Sequence, residues 1–397
     1  MSQRFKELDS LRGLAACTVV AHHFLLISPQ TNLLVYGGYR GKYGLINALV
    51  YSPIHILWAG PQAVILFFVL SGFVLSLPFF SDKKICYFSF LIKRICRIYI
   101  PYTAAVTAAI VAAIYCSRHG IHELSGWFNL VWTAPISWQL VLDHYLFLGS
   151  FDNKQFDPVI WSLVQEMRIS IIFPLLMIFV LKFDWKFILV SAIILYYIVG
   201  YQIDPLIAEK LHMQSSDLLH TPCFIGIFLV GALIAKRRSM IRQFYQSLPR
   251  LGRYLILATG IVLYTYKWII TGINNIYIDP INHDAIVCVG ASIIVISALS
   301  SFRLSHFLQK KPFLFLGKIS YSIYLFHAIV LFGCINLFYG KMPYLSILSI
   351  ALISSFIVSI AAYYLFEEPS MKLGRYLASR RIQSVSGSSE KEHVIVV

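Results

Sequence analysis

Long apolar stretches recur along the whole chain and constrain its fold more than any other feature. A helix needs about 20 apolar residues to cross a bilayer. We place such stretches at 11–27, 61–80, 99–116, 159–181, 187–203, 218–235, 254–271, 284–300, 319–338 and 344–366. Only 13% of the residues are charged, against about 25% in soluble domains. The sequence therefore predicts an all-α integral membrane protein with about ten transmembrane helices.

Lysine and arginine are distributed unevenly between the loops that join these stretches. Of the 33 basic residues, 24 fall in segments on the side of the N-terminus, 6 in the opposite loops and 3 inside the stretches. Cytoplasmic loops collect lysine and arginine, so we expect both termini in the cytosol (N-in and C-in). The same rule explains the net charge of +15 without a nucleic-acid partner. Residues 1–375 form the predicted transmembrane domain, and 376–397 a short cytoplasmic tail that we expect to be disordered.

The first stretch, "LDSLRGLAACTVVAHHF", carries ionisable residues at both ends of an apolar helix. Arg12 and His23 are eleven residues apart, which places them on one helical face within about 20° and separates them by about 16 Å along the axis. His22 is turned away by about 100°. Ionisable groups inside a membrane are costly and usually functional, so Arg12, His23 and the neighbouring Asp9 are candidate site residues. The structural alternative is that Arg12 reaches the inner interface and His23 caps the outer end.

The segment "WSLVQEMRIS" places Glu166 near the outer end of the fourth stretch, with Ser162 and Ser170 on the same face. A buried carboxylate needs a partner. A histidine that is oriented by a carboxylate suits general-base catalysis. The alternative is an ion pair between helices with a structural role.

The segment "KKICYFSFLIKRICRIYIPY" ends on the inner side of the third stretch and is rich in basic residues. Arg94 and Arg97 are three residues apart and share a helical face. They fit an ordinary positive-inside anchor. They equally fit a clamp for a phosphorylated cytosolic ligand, because the guanidinium fork matches phosphate geometry.

Two further segments place polar residues inside apolar helices. "FFVLSGFVLS" holds Ser71 among small residues that allow close helix packing. "LGKISYSIYLFHAIV" gives one face to Ser320, Tyr324 and His327. His327 is either a core histidine bonded to a neighbour or part of a tunnel lining.

Two histidine patterns are too weak to predict a site. His212 and Asp217 form an H-x4-D pattern without its usual companion block, and His119 and His122 fall short of a metal site. The seven cysteines are scattered. We therefore expect no metal.

In order along the chain, these motifs resemble those of the acyltransferase-3 family of integral membrane O-acyltransferases. The resemblance runs from the opening helix with Arg12 and His23, through the R-x-x-R pair Arg94 and Arg97 and the "WSLVQE" segment ending at Glu166, to "LGKISYSIYLFH" and the closing "FEEPSMKL". The sequence departs from the family pattern at Ser10 and at 167–168, which indicates a subgroup with a different acceptor pocket.

The resemblance implies an enzyme of the bacterial cytoplasmic (inner) membrane. It implies an acyl-CoA donor, most often acetyl-CoA, and a hydroxyl of a cell-surface or lipid-linked sugar as acceptor. CoA phosphates are then expected on Arg12, Arg94 and Arg97. His23 is expected to deprotonate the hydroxyl or to carry the acyl group, and Glu166 to orient His23. The residues expected to line the pocket or tunnel are Asp9, Ser71, Trp161, Ser162, Tyr324 and His327. Beyond donor, acceptor and membrane lipid, no obligate protein partner is expected.

Two other functions fit parts of the sequence. A transporter or flippase of a lipid-linked sugar precursor could also use intramembrane charges, but it forms no covalent product. The other major family of membrane-bound O-acyltransferases expects a histidine in a late apolar helix, which His327 could supply, but it leaves the N-terminal motif unexplained.

Overall fold

The computed structural model describes residues 5–36, 44–81, 85–118, 120–149, 151–197, 220–274 and 280–387. Over these ranges the chain is helical and forms no β-strand, in agreement with the predicted all-α class. The α-helices are α1 Lys6–Leu26, α2 Pro29–Tyr36, α3 Gly44–Val50, α4 Gly60–Ser76, α5 Tyr87–Cys116, α6 Trp138–Leu146, α7 Ile160–Lys182, α8 Trp185–Ile194, α9 Thr221–Lys236, α10 Arg238–Ser247, α11 Arg250–Asn274, α12 Pro280–Ser300, α13 Phe302–Leu308, α14 Lys311–Lys318, α15 Ser320–Phe338, α16 Tyr344–Ala362 and α17 Glu368–Gly387.

Several of these helices are long and apolar enough to cross a membrane. In the described part of the chain, seven helical segments are each long and apolar enough to cross a membrane: Gly60–Phe80, Tyr87–Cys116, Ile160–Lys182, Arg250–Thr271, His283–Ser300, Ser320–Phe338 and Tyr344–Arg380. α1 and α2 meet the same criterion only when they are taken together, as a pair bent by 115°. α8 and α9 are apolar but shorter. The protein is therefore a multi-pass membrane protein. The count of about ten spans and the side of the termini stay predictions.

α1 is held by backbone contact with the segment that leads into α15. A Cβ atom on Gly13 would meet the backbone nitrogen of Gly317 at 2.5 Å. The Ser10 hydroxyl, which is fully buried, donates to the carbonyl of Leu308 at 2.6 Å. Small residues allow such close approach, so α1 lies in the centre of the bundle rather than at its lipid-facing edge.

α4 packs against α9 through a similar pair of glycines. A Cβ atom on Gly72 would meet the Cα of Phe228 at 2.8 Å, and one on Gly231 would meet the backbone nitrogen of Phe73 at 2.8 Å. The close packing expected from the small residues of "FFVLSGFVLS" is therefore present.

α5 and α7 run antiparallel in a register that the sequence did not reveal. The Tyr87 hydroxyl donates to the carbonyl of Ile171 at 3.1 Å, and the Tyr102 hydroxyl donates to the carbonyl of His144 at 2.7 Å. Tyr102 is in the middle of α5, and His144 belongs to the segment that precedes α7. This segment therefore folds back along α5, and α7 begins beside the middle of α5.

The C-terminal segment differs from its prediction. α16 passes through a π-helical turn at Tyr363–Glu367 into α17, which continues to Gly387. α17 packs on α5: Ala378 is fully buried, and its carbonyl accepts a 3.3 Å hydrogen bond from Ser89. The expected disorder from residue 376 is therefore wrong as far as Gly387, because packing on α5 stabilises the helix. Residues 388–397 lie outside the described part.

Candidate active site

Two cavities lie end to end inside the helix bundle. The first, which we call the histidine cavity, has a volume of about 490 Å³ and is lined by residues that include His22, His23, Tyr36, Trp127, Lys154 and Trp161. The second, the arginine cavity, has a volume of about 60 Å³ and is lined by residues that include Arg12, Ser71, Arg97, Glu166, Ser320 and Tyr321. Val64 and Tyr324 line both cavities. Arg12 and His23, which lie on one face of α1, therefore line different cavities.

The partner of His23 is a second histidine. Nδ1 of His23 lies 2.9 Å from Nε2 of His327, while Nδ1 of His327 lies 2.8 Å from the carbonyl of Ile323. A carbonyl accepts only, so the neutral His327 carries its proton on Nδ1 and its Nε2 is an acceptor. Nδ1 of His23 must then donate, which leaves Nε2 of His23 unprotonated. None of the described residues hydrogen-bonds to that nitrogen.

The His23 ring is held between two other rings. It stacks on His327 with 5.1 Å between ring centroids and lies 4.9 Å from the ring of Trp127. Trp127 packs in turn against Phe332 of α15 at 5.4 Å. The ring orientation is therefore fixed by packing as well as by the hydrogen bond, and the basic nitrogen has a defined position in the histidine cavity.

His22 has a different environment. Its Nδ1 lies 3.0 Å from the carbonyl of Trp58 and its Nε2 lies 3.3 Å from the Tyr36 hydroxyl. A Cβ atom on Gly60 would meet the His22 ring at 2.6 Å. His22 thus joins α1 to α2 and to the start of α4, as expected from its rotation away from the His23 face, although it also lines the histidine cavity.

Glu166 differs from its predicted role. Its Oε1 lies 2.5 Å from an Arg94 guanidinium nitrogen in an ion pair and accepts a 3.4 Å hydrogen bond from Ser71. Arg94 also donates to Ser170 at 3.3 Å. Glu166 therefore forms the interhelical ion pair that the sequence left open as the alternative, and the residue that hydrogen-bonds to His23 is His327. The reason is the depth at which α7 begins, which brings Glu166 beside the second turn of α5.

The three arginines expected to bind a phosphorylated donor divide into two groups. Arg12 and Arg97 line the arginine cavity. Arg12 donates to Ser71 at 3.4 Å, and an Arg97 guanidinium nitrogen lies 3.1 Å from the sulfur of Met371. Arg94 is buried by its pairing with Glu166 and does not line either cavity. The R-x-x-R pair therefore has one member facing the cavity and one holding α7.

Four of the predicted pocket residues line the two cavities, whereas His327 and Asp9 line neither. Ser71 and Ser162 line the arginine cavity, Trp161 lines the histidine cavity, and Tyr324 lines both. Asp9 lines neither; its backbone carbonyl packs against Gly317.

Comparison with models of protein families gives a match to the acyltransferase domain of acyltransferase-3 over residues 5–364. The chain belongs to the acyltransferase-3 family. No curated protein and no solved structure matched the chain. The resemblance drawn from the motifs is thus confirmed over nearly the whole sequence, and this membrane protein is an acyltransferase.

The candidate site contains aromatic residues that the motifs did not predict. Tyr36 and Trp127 line the histidine cavity from the segments after α1 and after α5. Tyr321 lines the arginine cavity, and its hydroxyl donates to the carbonyl of Ile98 at 2.8 Å. The many aromatic residues in the segments after α1 and after α5 could have indicated Tyr36 and Trp127. Tyr321 gave no such signal, because it is one more aromatic residue in an apolar helix.

A metal site is not found in the described part of this acyltransferase. No group of three or more histidine, cysteine, aspartate or glutamate side chains is placed there to hold a metal ion. His119, His212 and Asp217 lie outside the described residues.

Proposed function

We propose that the protein transfers an acyl group, acetyl in the first instance, from acyl-CoA to a hydroxyl of a cell-surface or lipid-linked sugar. The donor enters the arginine cavity from the cytosol, and the acceptor enters the histidine cavity from the opposite side of the membrane. The observation that supports this most is the His23–His327 pair, because it presents a basic nitrogen to the larger cavity while the same helix presents Arg12 to the other.

The donor is held by its phosphates on one side of the arginine cavity. A volume of about 60 Å³ has room for only a few water molecules, so the nucleotide part of CoA stays at the cytosolic mouth. Arg12 and Arg97 supply guanidinium groups that match phosphate oxygens. The thin pantetheine arm then follows α1 over the roughly 16 Å to His23. Arg94 acts indirectly by holding Glu166 and, through Ser71, the position of Arg12.

The acceptor is held in the histidine cavity. Its volume of about 490 Å³ falls within the usual range of roughly 300–1,000 Å³ for small-molecule sites. Tyr36, Trp127 and Trp161 offer aromatic faces against which the apolar face of a sugar ring can pack. The hydroxyl to be acylated is placed near Nε2 of His23.

The chemistry requires one proton acceptor that later returns the proton. Nε2 of His23 removes the proton of the acceptor hydroxyl while the hydroxyl oxygen attacks the thioester carbonyl carbon. The carbon–sulfur bond then breaks, and the CoA sulfur takes the proton from His23. The products are an O-acyl ester and free CoA thiol. His327 accepts the Nδ1–H of His23 throughout and so keeps the ring in place.

The test is acyl transfer by the purified protein in nanodiscs with acetyl-CoA and surface glycan from the producing cells. We expect the wild type to form one CoA thiol for each acetyl group on the glycan. His306→Ala, which changes an exposed histidine on α13, should be as active as the wild type. His23→Ala should form neither. If no ester forms and the protein instead moves unmodified glycan across the bilayer of proteoliposomes, the transporter function replaces this proposal.

A second measurement separates two forms of the reaction. In the absence of acceptor, direct transfer releases no CoA thiol beyond slow hydrolysis. A burst of about one thiol per enzyme that is absent from His23→Ala would identify His23 as a transient acyl carrier.

A further inference from the structure

The two cavities meet at one level of the bundle. Along α4, Gly60 and Pro61 line only the histidine cavity and Phe67 and Ser71 only the arginine cavity, while Val64 between them lines both. The lining passes from one cavity to the other along α7 as well, between Trp161 and Ser162. The acyl group of a donor held in the arginine cavity must therefore pass this junction to reach His23.

Tyr324 is the large side chain at the junction, and it is held from two sides. Its hydroxyl lies 2.7 Å from the Ser162 hydroxyl, which in turn donates to the carbonyl of Val159 at 3.0 Å. Since a serine hydroxyl has one proton, Tyr324 is the donor to Ser162. The Tyr324 ring also packs edge-on against Phe67 with 5.5 Å between centroids. The ring therefore occupies a defined position and is not free to swing with each ligand.

We infer that Tyr324, together with Val64, limits the length of the acyl group that the protein transfers. This inference rests on the proposed function, since it concerns which acyl-CoA donors that reaction accepts. A short acyl group passes the junction with the Tyr324 ring in place. A longer chain must displace the ring, which breaks its buried hydrogen bond to Ser162 and its packing on Phe67.

The size of the expected discrimination follows from the packing around the ring. Tyr324 and Ser162 are 6% and 5% exposed, so little free space surrounds their hydrogen bond. In tight apolar pockets one methylene group changes kcat/KM by roughly 10–200-fold. We therefore expect the wild type to use acetyl-CoA at least about 100-fold better than hexanoyl-CoA.

The experiment compares acetyl-, butyryl- and hexanoyl-CoA as donors for the wild type, Tyr324→Ala and Tyr324→Phe. Tyr324→Ala should raise the ratio of hexanoyl to acetyl kcat/KM by at least about tenfold. Tyr324→Phe keeps the ring but removes the hydrogen bond that holds it, so its ratio should lie between those of wild type and Tyr324→Ala. Because a ratio is measured within each variant, a smaller amount of folded protein does not alter it.

Val64→Ala provides a second variant that widens the same junction without touching the hydrogen bond, and its ratio should change in the same direction as that of Tyr324→Ala. Equal use of all three donors by the wild type would overturn the inference. So would an unchanged ratio in both widened variants. If no donor gives a product even with the wild type, the proposed function itself has failed.

Discussion

Nδ1 of His23 lies 2.9 Å from Nε2 of His327, and this contact decides which nitrogen of His23 is basic. His327 is itself fixed by the carbonyl of Ile323, so its Nε2 can only accept. The hydrogen bonds therefore run in one direction: His23 donates to His327, and His327 donates to the backbone carbonyl of Ile323. In many hydrolases a carboxylate has the place that the neutral His327 occupies here.

This arrangement predicts a defined effect of removing His327. His327→Ala leaves Nδ1 of His23 without its acceptor and lets the ring turn, and misplacement of about 1 Å can cost about 100-fold. We expect kcat to fall by about that factor with little change in the donor KM. His327→Gln should recover part of the loss, because its amide oxygen can accept the Nδ1–H. Wild-type kcat in His327→Ala would show that the contact has no catalytic role.

The Arg94–Glu166 pair predicts an effect on stability. Removing one partner of a buried ion pair costs about 3–5 kcal/mol because the other charge is left unpaired. We expect Arg94→Ala to lower the free energy of unfolding by about 3 kcal/mol, the low end of that range, since the Glu166 side chain keeps 20% exposure. Adding Glu166→Gln should recover much of this loss in a double-mutant cycle. Additive effects of the two substitutions would mean that the pair contributes little.

Arg97 predicts an effect on donor binding. A phosphate contact of similar strength in the ground state and in the transition state changes KM and leaves kcat largely intact. Arg97→Ala should therefore raise the KM for acyl-CoA by about tenfold or more, and Arg97→Lys should recover only part because it lacks the fork. Lys93→Ala, which removes an exposed base from the same helix, is the control. An unchanged KM in Arg97→Ala would move the donor site elsewhere.

Asp157, just before α7, predicts a pH dependence of stability. Burial raises the pKa of its carboxyl from 3.8 to about 8, although Oδ1 accepts a hydrogen bond from the Val159 N–H. Between these values the folded protein keeps a proton that the unfolded chain has lost. The free energy of unfolding therefore falls as the pH rises from about 4 to about 8.

Asp157→Asn removes this proton uptake. Its thermal stability relative to wild type should therefore be greater at pH 8 than at pH 5, measured by unfolding in detergent. Asp152→Asn changes an exposed aspartate of the same segment and serves as the control. A difference between Asp157→Asn and wild type that is the same at both pH values would contradict the assignment.

The sequence predicted the helical face that a residue occupies better than it predicted the axial position of one helix beside another. The apolar stretches predicted the helices, and the eleven-residue spacing put Arg12 and His23 on one face, as the two cavities require. Helical periodicity does not say at what depth one helix begins beside another. For that reason the ion pair of Glu166 was predicted only as an alternative and without Arg94 as its partner, and His327 was not predicted to be the partner of His23. The helix after residue 376 was missed because its packing on α5 depends on contacts far apart in sequence.

The glycine contact between α1 and the end of α14 has a consequence at the other end of α1. Gly13 precedes His23 by ten residues, and Gly317 precedes His327 by ten. From Gly13, α1 rises about 15 Å to His23, whereas the chain from Gly317 passes the break at Ile319 before α15 brings His327 to the His23 ring. α1 is therefore held at two levels, by Gly317 of α14 and by His327 of α15, and these two contacts restrain the position of the His23 ring. We expect any adjustment to donor or acceptor in α4 and α7 rather than in α1.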